Sequence, residues 1–233
     1  MPPVPNRPLV VVFDIDGTLL DSTAGHHATL AAALTAMGLD LYAKPVTAYR
    51  NYTDSGVLDE LLLDRRGSGA RAGEIDAFDA LTARDYAARI RRAPPPPIAG
   101  APALLAAIAG LADVVPVFAT GSLAGMARLK LALLGIDPGR ALLATAADGL
   151  SKQAIVAHGL RLWQRAAGGN VQADAISIGD GHWDRIAAQA LGLPFVGLET
   201  GLGRFTDGAC LVRPSLEGVT AGDLRSHARP LSL

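Results

Sequence analysis

The chain has 233 residues, half of them hydrophobic, with a formal net charge of −1. Disorder, a long electrostatic tail and a polyanion partner are all excluded by that balance. The length fits one elaborated domain or a core carrying an insert. Only three of the basic residues are lysines (Lys44, Lys130 and Lys152), so any chemistry that needs an ammonium group has few candidates. The lone Cys210 has no second thiol for an internal disulfide or a cysteine-rich metal site, and reads as a small core residue.

In chain order, the N-terminus MPPVPNRPLVVVF carries one arginine and an apolar run too short for a signal peptide or a membrane span. The expectation is a cytoplasmic protein without membrane or nucleic-acid partners. Aliphatic runs at 9–13, 114–119, 141–145, 175–179 and 195–198 predict buried strands. Helical spacing at about 102–111, 123–134, 152–166 and 184–191 alternates with the later strands. That alternation predicts an α/β fold: a doubly wound, Rossmann-like parallel sheet covered on both faces.

About a hundred residues separate the first two strands, far more than a crossover needs. The gap holds helical patterns near 25–37, 56–65 and 73–92 and closes on the proline run 94–97, which no helix continues through. We expect a helical module over 23–94 inserted in a core made of 1–22 and 95–233.

The first strand runs into DIDGTLLDS, which places Asp14 and Asp16 at the carboxyl end of a buried strand, where open α/β sheets bind ligands. Alternation points both carboxylates to one side, and crowded, desolvated carboxylates need a cation or a proton to coexist. A second acidic cluster, GDGHWD, follows the strand at 175–179 and offers Asp180 and Asp184. Magnesium, an oxygen-seeking ion that keeps waters and substrate phosphate, suits Asp14, Asp180 and a backbone carbonyl, with Asp184 orienting ligands from behind. Thr120-Gly121-Ser122 opens another helix with a hydroxyl and free amides suited to a phosphate oxygen. Lys152, also at a helix start, adds a positive charge against a phosphoryl group.

These four segments, in order and in place, resemble the haloacid dehalogenase-like (HAD) superfamily along the whole chain. The resemblance implies a helical cap of the phosphoglycolate-phosphatase and β-phosphoglucomutase type. It also implies that Asp14 attacks phosphorus and becomes an aspartyl-phosphate. Asp16 would protonate the leaving oxygen and then activate water, with its backbone carbonyl joining the Mg²⁺ shell beside Asp14 and Asp180. Thr120 and Lys152 would hold the transferring group. The expected activity is hydrolysis of a small phosphorylated metabolite such as phosphoglycolate or a sugar phosphate. A sugar-phosphate phosphomutase is the alternative enzyme, and a catalytically silent binding or regulatory protein is the alternative of another class. Oligomeric state is left open.

Plainer roles compete at several positions. Ser22 reads as a helix cap, Lys130 as part of a solvated helix face or, since spacing to this motif varies in the superfamily it resembles, as a rival to Lys152, His182 as shaping its loop and Trp183 as packing on the core. His26 stands twelve residues after Asp14, a spacing that resembles a histidine some cap-bearing members place near the site. Arg50, Tyr52 and Asp54 either reach the substrate or form a solvated connection. Gly201-Leu202-Gly203 does not complete a dinucleotide motif, because residue 206 is threonine, and no nucleotide-binding GxxxxGK[ST] loop occurs.

Overall fold

The computed structural model describes residues 7–45, 48–169, 171–201, 205 and 211–231, so Cys210 and two residues of the glycine pattern lie outside the described residues. The strands are β1 (Leu9–Phe13), β2 (Val114–Ala119), β3 (Leu142–Ala144), β4 (Asp174–Gly179), β5 (Phe195–Leu198), β6 (Leu211–Arg213) and β7 (Arg229–Pro230). Their order is β3-β2-β1-β4-β5-β6, all parallel, with β7 antiparallel to β4.

Every residue of β1 is buried. Its alternating side chains divide between two apolar clusters. Val10 and Val12 join α6 (Lys152–Ala166) and α7 (His182–Ala190), while Leu9, Val11 and Phe13 join α4 (Ala101–Ala109) and α8 (Ala221–His227). A strand covered on both faces reads as an unbroken aliphatic run because both its faces need apolar partners. None of the helices, among the described residues, is long and apolar enough to cross a membrane.

Between β1 and β2 lie α1 (Thr23–Ala36), a short 3₁₀ turn at Leu41–Ala43, α2 (Asp54–Arg66) and α3 (Ala72–Arg92). The two segments that lead out to these helices and back run side by side. Asp21 N–H donates to Pro96 O at 2.9 Å and Ile98 N–H to Leu19 O at 2.9 Å. The helices are docked rather than splayed: α3 packs on α5 (Ala124–Leu133), and Asp54 N–H donates to Gly121 O at 2.8 Å. Thr53 and Ser55 hydroxyls each donate at 2.6 Å to the carbonyls of Leu150 and Ala146.

β1 is central, and its register places its end level with those of its neighbours. Phe13 pairs with Phe118 on one side and Ile178 on the other. The residues that follow β1, β2 and β4 therefore emerge at one edge of the sheet.

Candidate active site

Four loops meet at that edge around a cavity of about 60 Å³. Its lining includes Asp14, Asp16, Gly121, Ser122, Lys152 and Asp180 from the sheet side, and His26 and Tyr52 from the helical side. Thr120 is fully buried beneath, where its hydroxyl accepts from Ser122 N–H at 3.1 Å. Arg50 is exposed and lines a neighbouring hollow instead.

Asp14 sits just past β1, and its amide donates to Ile178 O at 3.0 Å. Lys152, the first residue of α6 after the Ser151 cap, extends its ammonium to Asp14 Oδ1 at 2.5 Å and Asp184 Oδ1 at 2.8 Å. Asp184 Oδ2 accepts Gly181 N–H at 3.0 Å and so closes the start of α7. One side chain thus both caps a helix and steadies Lys152. Burial alone would lower the Lys152 pKa, but Asp14 and Asp184 more than reverse this and raise it above its ordinary value.

Thr18 donates toward Asp14 Oδ2 at 3.4 Å and Asp180 Oδ1 at 3.2 Å. Asp14, Asp180 and Asp184 each bring a carboxylate oxygen within 4.8 Å of the others. Burial, offset in part by Lys152 and reinforced by Asp184 and Asp16, pushes the Asp14 carboxyl up to about 7. Burial, then Asp14 and Asp184, pushes Asp180 up to about 9. Buried carboxylates that resist joint ionisation are the donor set a hard divalent cation would relieve. These residues therefore fit a metal, and the backbone is shaped to admit the carboxylates. A Cβ on Gly17 (φ +75°) or on Gly201 would overlap the Asp180 carboxylate.

Asp16 lies in a second charged network. Lys130 Nζ approaches both of its oxygens at 2.6 Å, Ser22 donates to Oδ1 at 2.5 Å and Ser122 to Oδ2 at 2.9 Å. Burial opposes ionisation of Asp16, but Lys130 and then His26 outweigh it and hold the carboxyl well below its usual range. Lys130 Nζ also lies 2.8 Å from His26 Nδ1, and His26 Nε2 lies 2.9 Å from Asp54 Oδ1. The other Asp54 oxygen accepts Leu123 N–H at 2.8 Å.

Two plain readings of the sequence are corrected here. Lys130 is not on a solvated face: it is 0 % exposed and shares the buried side of α5 with Met126, Ala127 and Leu131. A lysine on an apolar stripe needs a buried carboxylate, and that was the signal available in the sequence. Ser22 holds the cap position of α1 but makes no capping bond, and its hydroxyl donates instead to the Asp16 carboxylate. Trp183 is only half-buried and lines the cavity, 5.3 Å from Tyr52 between ring centroids. Thr18 and Gly201 are the site neighbours that sequence reasoning left out. His26 and Asp54, by contrast, do reach the site.

Several solved structures share this arrangement of the backbone. CbbY from Rhodobacter sphaeroides, in complex with phosphate, is 17% identical with a TM-score of 0.68, over 93% of this chain and 98% of that one. A protein provisionally identified as a β-phosphoglucomutase, from Bacteroides vulgatus, is 21% identical with a TM-score of 0.61, over 90% and 85% of the two chains. A predicted phosphoglycolate phosphatase from Haemophilus somnus is 15% identical with a TM-score of 0.56, over 89% and 94%. No curated protein matches the sequence. The family model of haloacid dehalogenase-like hydrolases matches residues 9–192, a span that runs from the strand before Asp14 to just past the helix carrying Asp184. With most of its length inside that match, and both acidic segments with it, the chain belongs to the haloacid dehalogenase-like hydrolase family.

Proposed function

We propose that this protein hydrolyses a small-molecule phosphomonoester, with Mg²⁺, through an aspartyl-phosphate on Asp14. The observation that carries the reading is the buried Asp14 carboxylate on the cavity floor, held by Lys152 and adjoined by Asp180. Asp14, Asp180 and the Asp16 backbone carbonyl would hold the magnesium. When bound, the ion supplies charge neutralisation between carboxylate and phosphate.

The remaining chemistry belongs to the chain's own side chains. Asp14 Oδ2 attacks phosphorus in line with the departing oxygen, while Lys152 and the Gly121–Ser122 backbone hold the equatorial oxygens. Thr120 acts by orienting the Ser122 amide. Asp16 rests ionised beside Lys130, the state required of the base that activates water in the second step. A phosphate dianion beside it raises its proton affinity, because like charges disfavour ionisation, and so prepares it to protonate the leaving oxygen. His26 and Asp54 reach across from the helical module, which we read as a cap over 23–94 on a core of 1–22 and 95–233. The docked cap excludes bulk water during the first transfer. We place the protein in the cytoplasm.

Phosphate release from a generic aryl phosphate tests this reading. Release that requires Mg²⁺, stops on chelation and is lost in Asp14→Asn is expected, together with a reducible phosphorylated Asp14 in acid-quenched wild-type protein. Unchanged turnover in Asp14→Asn would remove the nucleophile and with it the mechanism.

A further inference from the structure

We propose that the substrate's leaving group is uncharged and lies with an apolar face against Tyr52 and Trp183. The inference rests on the phosphatase reading above and deepens it by naming the substrate class.

Away from the phosphoryl seat, the cavity wall is built from Leu30, Val57, Tyr52, Trp183 and His27. Tyr52 is fixed in place. Its hydroxyl bonds His27 Nε2 at 2.9 Å, its ring meets the His27 ring edge-on at 5.7 Å, and its other side faces Trp183 at 5.3 Å. Burial, with His26 next, lowers the His27 pKa, so that imidazole stays neutral at physiological pH. The cavity therefore ends in a largely apolar wall of mutually tilted rings that joins the helical module to α7, and such surfaces bind apolar or aromatic groups.

The charges point the same way. The Lys152 ammonium is shared between Asp14 and Asp184, and Lys130 is fully buried against Asp16. Among the described lining residues, Asp16 and Asp54 are the further charged groups on the leaving-group side, and both are acidic. A carboxylate or second phosphate placed there would lie near Asp54, and each described lysine beside the cavity is already paired with a carboxylate. Arg50, the arginine that the sequence brings nearest, lines the adjacent hollow. Tyr52, Trp183 and Lys152 line both spaces.

Matched esters test the proposal. Benzyl phosphate and its para-carboxy derivative share a leaving-group type, as do propyl phosphate and 3-phosphooxypropanoate, and each pair differs in one negative charge. The expected result is Mg²⁺- and Asp14-dependent phosphate release with kcat/KM at least about tenfold higher for the uncharged member of each pair. In Trp183→Ala and Tyr52→Ala, that preference should shrink through a raised KM for the uncharged ester, with kcat less affected. Equal or faster release from the carboxylated esters would overturn the proposal and leave the phosphatase reading standing. Retained preference in both aromatic variants would overturn the role of the wall. If no ester shows Asp14-dependent release, the phosphatase reading fails and the proposal falls with it.

Discussion

Replacing Lys130 with methionine keeps most of the stem volume and deletes a charge that the fold has enclosed. The Lys130 ammonium lies 2.6 Å from both Asp16 oxygens, 2.6 Å from Ser122 Oγ and 2.8 Å from His26 Nδ1, and it stands 5.2 Å from the centre of the Tyr86 ring. At an effective dielectric constant of ~20, opposite unit charges at that separation attract by about 6 kcal/mol. Much of this only offsets lost hydration, yet removing one partner strands the other, and the usual cost is about 3–5 kcal/mol. The Asp16 side chain is 17 % exposed, so water can restore only part of what it loses. Lys130→Met should therefore lower the unfolding free energy by about 3–5 kcal/mol, a large share of the roughly 5–15 kcal/mol of an ordinary domain. Urea denaturation followed by circular dichroism measures it. Adding Asp16→Asn to Lys130→Met should restore about 2 kcal/mol, since the stranded charge is then gone. The reasoning is refuted by a loss below about 1 kcal/mol, the scale of an exposed ion pair, or by strictly additive single and double variants.

Three further outcomes are expected. Asp14 and Asp180 have carboxyls raised to about 7 and about 9, so without metal the stability they contribute is full below the unfolded value near 4 and is lost as pH rises through the folded ones. Because Mg²⁺ needs the ionised forms, the thermal shift it produces should grow between about pH 5 and about pH 9; a pH-independent shift counts against Asp14 and Asp180 as its ligands. Gly201→Ala should overlap the Asp180 carboxylate, cost about 1–3 kcal/mol and weaken Mg²⁺ binding in a calorimetric titration, whereas an unchanged isotherm would show that the loop yields freely. Asp184→Asn should lower turnover of an aryl phosphate about 10–100-fold by releasing Lys152, and wild-type turnover would mean that Lys152 needs no such support.

Periodicity read the core well because buried parallel strands are continuous aliphatic runs. β1, β2 and β5 fall on the expected residues, β3 is a residue shorter at each end and β4 a residue longer at its start. β6 and β7 were not foreseen. They have three and two residues, too few for any period to show, and β7 contains Pro230, which argues against a strand until an edge is available to it. Helix α8, with seven residues, was missed for the same reason. In the helical module, α1 shows how a site residue hides. His26 heads the buried stripe completed by Thr29, Leu30, Ala33 and Leu34, and a polar residue on such a stripe is as readily a cap as a contact until its partners are known.

The residues that gather at the proposed site were legible in the linear order of the chain. Asp14, Asp16, Thr120, Lys152 and Asp180 each follow a strand or open a helix, and the strand-helix alternation requires those ends to share one edge of a parallel sheet. Only the tertiary structure decided how the charges pair. Lys130 and Lys152 look alike as letters. The turn of α5 carries one inward to Asp16, and the start of α6 aims the other at Asp14. The opposition of Tyr52 to Trp183 is likewise a product of docking. The two aromatics lie on separate elements, and no local preference specifies a contact across so long a stretch of chain.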